Sequence, residues 1–337
     1  MAYTVAMQRS SQLLETTPNG LYCRAADVYL DPWKPVRRAL ITHAHADHAR
    51  PGSEHYLTHH TSVSLLHARL GTNSQQVQGI EYGEVTSING VNFTFHPAGH
   101  VPGSAQIEVE HGGERWVFSG DYKTEADGVS TPFEPVRCDV FISECTFGLP
   151  VYRWRPQQEI FEEIHEWWRT LRERGESGVL CAYSLGKAQR LLKYLRRDEG
   201  KILVHSAVWS MCEALGFDMQ GLERATADTR AKGVLVVAPP AVASSPWLKR
   251  FGPYSVGGLS GWMAIRGIKR RRGFDAGFVL SDHADFQGLT SAVRATGASR
   301  VLLTHGYTAQ FAKWLSETGI QAQELGTHYG EEEVGAE

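Results

Sequence analysis

The ten residues ITHAHADHAR, positions 41–50, constrain this chain more than any other stretch. His43, His45, Asp47 and His48 fall within six positions, spaced only by alanine, directly after the apolar run RALI. A solvated loop has no reason to concentrate imidazoles in this way, whereas a metal site does. In extended backbone, residues two apart project to the same side, so His43 and His45 can grip one ion while Asp47 and His48 turn toward another. Imidazoles and carboxylates are the ligand set expected for zinc or manganese, with bonds of roughly 2.0–2.2 Å to zinc. The fold must then hold this loop at a strand end, and other segments must complete the ligand set.

Four later segments offer the missing groups: HPAGHVPGS with His100, FSGDY with Asp121, LSDHADF with His283 and LLTHGY with His305. In three of them a short apolar strand runs straight into the candidate ligand. Such a placement holds a side chain rigidly at a sheet edge while leaving it within reach of solvent. The other histidines, His59, His60 and His96 among them, read as packing or surface residues.

The chain has 337 residues, 42% hydrophobic and 21% charged, enough for one large domain or two moderate ones. Up to about residue 148, short β-like runs alternate with turns. IEVEHGGERWVF reads as a hairpin turning at Gly112-Gly113, and TSVSLLHARLG as a helix. From residue 149 the texture changes. RPQQEIFEEIHEWWRTLRERGESG predicts an amphipathic helix, GVLCAY a buried strand and SLGKAQRLLKYLRRDEG a second helix. KILVHS, another helix and GVLVVAP extend a parallel α/β unit. After about residue 277 strand-rich texture returns, with RVLLTHG as a strand followed by a helix. The expected organisation is one domain (1–148 and 278–337) interrupted by another (149–277).

Five scattered cysteines without a CxxC pair read as reduced, mostly buried thiols rather than a disulfide framework or zinc ribbon. No apolar run is long enough to span a membrane, and the N-terminal residues show no secretory pattern, so a cytoplasmic location is expected. The acidic GEEEVGAE reads as a frayed tail. The net charge of −3 means that any nucleic-acid binding must come from local basic patches.

HxHxDH, a lone histidine after a strand and the aspartate of SGD together resemble the hydrolase motifs of the metallo-β-lactamase fold. SECTFG with Glu144, SDHADF with His283 and LTHG with His305 resemble its β-CASP branch, which cuts nucleic acids and carries an inserted α/β domain. AYSLGKAQRLL is similar to the first strand and helix of that insertion. The resemblance covers nearly the whole chain and implies an αββα sandwich interrupted by a β-CASP α/β domain. It also implies that His43, His45, His100 and Asp121 hold one divalent cation, and that Asp47, His48, His305 and the bridging Asp121 hold a second. Zinc is expected first and manganese as the alternative. Two ions about 4 Å apart would share the attacking hydroxide and neutralise a phosphodiester as charge builds. Asp31, in VYLDP, matches an acid that orients the ligand loop. Asp47, Glu144 and His283 are the candidate catalytic residues, the last two as a pair delivering a proton to the leaving oxygen.

Two basic features are candidates for phosphate contacts. One is RGIKRRRG, with Arg270 and Arg271. The other is the helix after Ser184, where Lys187, Arg190, Lys193 and Arg197 share one arc opposite Leu191, Leu192 and Leu195. Ser184 reads as its N-cap, offering free N–H groups to a phosphate. A solvated basic face is the plain alternative for both. Trp209, Trp247 and Trp262 are read as core. In size and wording the chain most resembles the compact bacterial ligase-associated DNA exonucleases, which implies work in DNA repair beside an ATP-dependent DNA ligase and a helicase. A narrow cleft between the two expected domains would exclude a stiff duplex and admit a single strand, so single-stranded DNA degraded from an end, the 5′ end first, is the expected substrate. An RNA endonuclease or 5′ exonuclease of the same fold is the alternative reading, and a non-catalytic nucleic-acid-binding scaffold subunit is a third.

Overall fold

The computed structural model describes residues 12–326. The expected acidic tail, 330–337, and most of the N-terminal stretch in which no secretory pattern is read lie outside the described residues. Six short strands form the first sheet in chain order: β1 (Glu15–Thr17), β2 (Gly20–Cys23), β3 (Val28–Leu30), β4 (Arg38–Ile41), β5 (His55–His59) and β6 (Val77–Ile80). Helix α1 (His60–Leu70) leaves β5 directly. The His59 imidazole caps it by accepting the Thr61 N–H, and Gly71 in the left-handed region ends it. His59 therefore has a local structural task.

The second sheet starts with β7 (Val85–Ile88), β8 (Val91–Pro97), β9 (Ala105–His111), β10 (Glu114–Phe118) and β11 (Val140–Cys145). Gly112 and Gly113, both at positive φ, make the expected hairpin turn between β9 and β10. Two-residue periodicity then sorts the side chains. In β10 and β11, Trp116, Phe118, Val140 and Ile142 face the first sheet and meet Leu21, Leu30 and Leu40, while Val117 and Phe141 face the other way.

Between β11 and the rest of that sheet the chain builds a third, all-parallel sheet in the order β14-β13-β15-β12-β16-β17. Its strands are β12 (Ser177–Cys181), β13 (Ile202–His205), β14 (Leu222–Ala225), β15 (Leu235–Ala238), β16 (Tyr254–Leu259) and β17 (Ala276–Phe278). Helices α2 (Gln157–Glu173), α3 (Lys187–Tyr194) and α4 (Ser206–Leu215) cover one face. The helix of α2 follows from Ile160, Phe161, Ile164, Trp168 and Leu171, one apolar stripe at three- and four-residue spacing. The last helix of this unit, α5 (Ile268–Arg271), is a single exposed turn.

The chain then returns through α6 (Phe286–Thr296), β18 (Arg300–Gly306), α7 (Thr308–Glu317) and β19 (Ala322–Glu324). Strand β18 pairs with β11, completing the second sheet, and α6 and α7 cover its outer face through Leu289, Val293, Phe311 and Leu315. With α1 on the outer face of the first sheet through Leu65 and Leu66, the layers run α, β, β, α, as expected. No helix among the described residues is long and apolar enough to cross a membrane.

One expectation is corrected here. The helix expected from Ser184 begins only at Lys187, because Gly186 at φ 89° breaks the backbone, and it stops at Leu195, which is extended. Arg197 is thus off the helix and pairs with Asp218 instead. Gly186 is required: a Cβ there would run into Val101.

Pairing between β11 and β18 slips after Glu144, so that Cys145 faces Gly306 and His305 is the bulged residue, at φ 57°. Gly306 follows at φ 75°, and a Cβ on it would strike Thr146 and the Cys145 carbonyl. Gly306→Ala is expected to destabilise the chain by about 2 kcal/mol or more, read as a lower midpoint in urea unfolding.

Candidate active site

Strands β8, β10, β11 and β18 all run in one direction, and β4 ends at the same cleft. Their C-terminal ends carry His100, Asp121, Glu144, His305 and the His43–His48 loop. His43, His45, His100 and Asp121 form one group of potential ligand atoms lying within 4.8 Å of one another. Asp47, His48 and His305 form a second, and Asp121, Glu144 and His283 a third. The Asp121 carboxylate joins them. Its Oδ2 lies 3.5 Å from His43 Nε2, 3.3 Å from His48 Nε2 and 3.7 Å from His100 Nε2.

The hydrogen bonds dictate which ring nitrogen each histidine turns inward. Asp31 accepts from the Thr42 N–H (2.8 Å), the Thr42 hydroxyl (2.5 Å) and His48 Nδ1 (2.7 Å). With its own proton given to Asp31, the Thr42 hydroxyl accepts from His43 Nδ1 at 3.1 Å. His100 Nδ1 donates to the Asp282 carbonyl at 2.8 Å, and His45 Nε2 donates to the Leu185 carbonyl at 3.2 Å. The nitrogens facing the cluster are therefore His43 Nε2, His45 Nδ1, His48 Nε2 and His100 Nε2. Each outer partner pins a tautomer and a ring orientation.

This arrangement fits a cation. His45 Nδ1 and His100 Nε2 stand 3.1 Å apart. Both rings have spent their proton on a carbonyl, so two lone pairs confront each other, and only a shared positive charge makes that favourable. His43 Nε2 and Asp121 Oδ1 are buried without a hydrogen-bond partner. Ligands of one tetrahedral zinc ion, about 2.1 Å from it, stand roughly 3.4 Å from each other, and the contacts to Asp121 cluster around that spacing.

The titration behaviour points the same way. Burial depresses His43, His45, His100 and His305, with His100 pushed down to about 3, so these rings stay neutral and able to ligate. Burial would also depress His48, but the carboxylates of Asp121, Asp47 and Asp31 raise it well above its ordinary value. Asp121, which burial would raise, is held well below the carboxylate range chiefly by His48.

Beside this cluster, His283 Nδ1 donates to Glu144 Oε1 at 2.8 Å. Glu144 is aimed by the Tyr122 N–H (2.8 Å) and the Thr146 hydroxyl (2.6 Å). The His283 ring packs 4.6 Å from that of His100.

The predicted basic arc is only partly a surface. Lys187 and Arg190 are 1% and 4% exposed, and both face Asp282, each at 3.5 Å. Arg190 also donates to the Ser281 carbonyl at 2.7 Å and to Gln157 at 2.9 Å. Lys193 is exposed and bonds the Gly128 carbonyl. Ser184 lines the cleft but does not cap α3; Gln189 bonds its carbonyl. Arg270 and Arg271 are exposed on α5, away from the residues that line the cleft. Trp262 is buried, and Trp209 and Trp247 are partly buried against apolar clusters.

Sequence reasoning missed several groups that the geometry makes important: Thr42, Tyr122, Thr146, the Leu185 carbonyl and above all Asp282. Asp282 stands beside His283 in the quoted SDHADF motif, so its position was the available signal.

Two predictions follow from the cluster. Purified protein should hold two divalent ions by elemental analysis, and Asp121→Ala should lose both. In metal-stripped protein, the four depressed imidazoles refuse protons that the unfolded chain accepts below about pH 6.5. Stability should fall as pH drops from there toward 3, by up to about 1.4 kcal/mol per pH unit for each such ring. His48 opposes this, since its contribution is present at low pH and lost as pH rises through its raised folded value. Four rings outweigh one, and urea midpoints at pH 7 and pH 5 check the sign.

No family model matches the chain. It is 31% identical over 318 residues to a probable DNA ligase of Opitutus terrae, covering 91% of this chain and 30% of that protein. It is 32% identical over 128 residues to Endoribonuclease YSH1 of Kluyveromyces lactis, covering 37% of this chain and 16% of that one. With Endoribonuclease YSH1 of Mycosarcoma maydis it shares 30% over 201 residues, 48% of this chain and 22% of that one. The chain thus spans a third or less of the length of these relatives. A crystal structure of a protein of unknown function from Enterococcus faecalis shares the fold, with a TM-score of 0.56 at 11% identity over 87% of this chain and 80% of that one.

Proposed function

Because the chain belongs to the β-CASP branch of the metallo-β-lactamase fold, we propose that it is a two-metal phosphodiesterase that shortens single-stranded DNA from its 5′ end. The observation that carries this reading is the Glu144–His283 pair, set at 2.8 Å against the edge of the ligand cluster. A hydrolase of small thioesters or lactams has no use for such a pair. A nuclease must protonate a departing alkoxide.

In this reading His43, His45, His100 and Asp121 hold one cation, and Asp47, His48, His305 and Asp121 the other. Zinc is favoured by the imidazole-rich donors, and manganese is the alternative. Bound there, the cations supply Lewis-acid neutralisation of the phosphodiester and acidify the attacking water. Asp31 and Thr42 keep the ligand loop oriented. Glu144 accepts the Nδ1 proton of His283 and so leaves Nε2 to carry a proton to the leaving oxygen.

The similarity of nearly the whole chain to a probable DNA ligase supports DNA as substrate and work beside a ligase in DNA repair; a helicase partner and a cytoplasmic location complete the reading. Residues 1–148 and 278–337 form the metal-binding domain in this scheme, and 149–277 the insertion. A second reading, RNA cleavage, is supported by the similarity to Endoribonuclease YSH1. A non-catalytic scaffold is disfavoured because every ligand position is filled by a competent side chain.

His283→Ala should lower the rate by roughly 10²–10⁴-fold with metal content preserved. Loss of metal together with rate would make His283 a ligand instead, a role its grouping with Asp121 and Glu144 also permits. End-labelled linear DNA, circular single-stranded DNA and matched RNA, each in Zn²⁺ and Mn²⁺, separate the readings. Degradation of linear DNA alone supports the exonuclease, cutting of the circle overturns it, and faster RNA cleavage favours the second reading.

A further inference from the structure

The cleft above the ligand cluster is a cavity of about 680 Å³, lined on one side by His45, Asp47, His100 and Asp121, and on the other by Tyr183, Lys187 and the start of α4. Most of the charge in it is already matched. Lys187 faces Asp282, and the carboxylates of Asp47 and Asp121 belong to the ligand sets. Two guanidinium groups stand outside this balance: Arg50, two residues beyond His48, and Arg69, in the last turn of α1.

Arg50 has its Nε buried and without a hydrogen-bond partner, and its guanidinium makes no ion pair among the described residues. Arg69 bonds the Ala44 carbonyl, within the ligand loop itself, and likewise has no carboxylate in ion-pair contact among the described residues. Its guanidinium is partly buried, and Asp47 is the charge that offsets the cost. A cation removed from water without a counter-ion is costly. Two guanidinium groups on one wall, Arg50 with no ion pair and a buried, unpartnered Nε and Arg69 offset only by Asp47, make that wall electropositive.

The walls also limit where a substrate can go. Arg69 lies across the cleft from Ala207, Ser210 and Met211 of α4. Next to this opening, Leu65, Leu66, Leu185 and Met211 pack into one apolar cluster that joins α1 to α4. Arg50 and Arg69 thus line the cleft beside the seam that joins α1 to α4, where the part of a substrate reaching past the ligand cluster meets them. Planar guanidinium groups present paired N–H donors that match phosphate oxygens.

We propose that Arg50 and Arg69 form an anion subsite for a second phosphate of the substrate, distinct from the phosphodiester that faces the metal ligands. The proposal rests on the phosphodiesterase reading above and transfers the phosphate contact from Lys187 and Arg190, which are buried and share the Asp282 carboxylate, to the metal-binding domain. The second phosphate is either a terminal monoester or the next diester of the strand.

The test uses the full-length, metal-loaded chain with Arg50→Gln, Arg69→Gln and the double variant. Substrates are an oligodeoxynucleotide with a 5′-phosphate, the same strand with a 5′-hydroxyl, and bis(p-nitrophenyl) phosphate, which has no second phosphate. Each variant should lose roughly 10- to 100-fold in kcat/KM on an oligonucleotide, at least tenfold more than on the small diester, with metal content retained. Arg50→Lys should recover part of the loss. The double variant should also flatten the salt dependence of oligonucleotide binding, measured by anisotropy in EDTA, by about one phosphate's worth, a slope change of roughly 0.7. A deficit confined to the 5′-phosphorylated strand assigns the subsite to a terminal phosphate, and an equal deficit on both strands assigns it to the neighbouring diester. Wild-type kinetics on both strands, or equal losses on the small diester, overturn the subsite. If the wild-type chain cleaves none of the three, the phosphodiesterase reading falls by itself. The anisotropy arm still decides the subsite, because weakened binding in the variants supports it and unchanged binding overturns it.

Discussion

The site is organised by a repulsion that protein groups alone do not relieve. Two imidazole nitrogens, His45 Nδ1 and His100 Nε2, are turned face to face at 3.1 Å, each having given its proton to a main-chain carbonyl on its far side. Asp121 stands within 3.3–3.7 Å of three ring nitrogens in the same pocket, those of His43, His48 and His100. Neighbouring groups keep this electron-rich cage from relaxing: Asp31 and Thr42 under the loop, the Asp282 carbonyl behind His100 and the Leu185 carbonyl behind His45. In the metal-free chain a proton on His48 is the nearest substitute for the missing charge.

Two of those supports come from beyond β11, which makes the inserted sheet part of the site rather than an attachment to it. Asp282 is the joint. Its carboxylate faces Lys187 and Arg190 of α3, its carbonyl orients His100, and the next residue is His283. Removing the Asp282 carboxylate would leave two buried cations unmatched, at a cost of roughly 3–5 kcal/mol. The seat of α3 against Asp282 and the placement of His100 and His283 thus depend on the same short segment.

Much of this was legible in the sequence. Continuous apolar runs such as the WVF of ERWVF and the VFI of VFISE specify strands buried on both faces, and the spacing of His43, His45, Asp47 and His48 points to the two groups of potential ligands that the structure brings together. The change of texture near residue 149 marks the parallel unit. The failures have physical causes. Lys187 and Arg190 carry the same charge whether solvated or paired, and periodicity placed them on an arc without revealing that Asp282 lies against it. Ser184 had the right chemistry for a cap, but Gly186 determines where the helix starts. Backbone carbonyls such as that of Leu185 have no sequence signature at all. Arg50 and Arg69 were hidden because a single arginine near a loop looks like any other.

The bulge at His305 has a consequence for the order in which the molecule is assembled. Strand β18 enters the sheet beside β11, yet the whole parallel unit lies between them in the chain. His43, His45, His100 and Asp121 belong to segments that can pack together before that unit exists. His305 reaches its left-handed position only when β18 has docked and slipped past Cys145. The second ligand set is therefore completed by the last strands of the sheet, while the first still takes two of its outer supports, the carbonyls of Leu185 and Asp282, from chain beyond β11. Both cages are thus finished by chain that follows β11, and neither is complete in the first sheet alone.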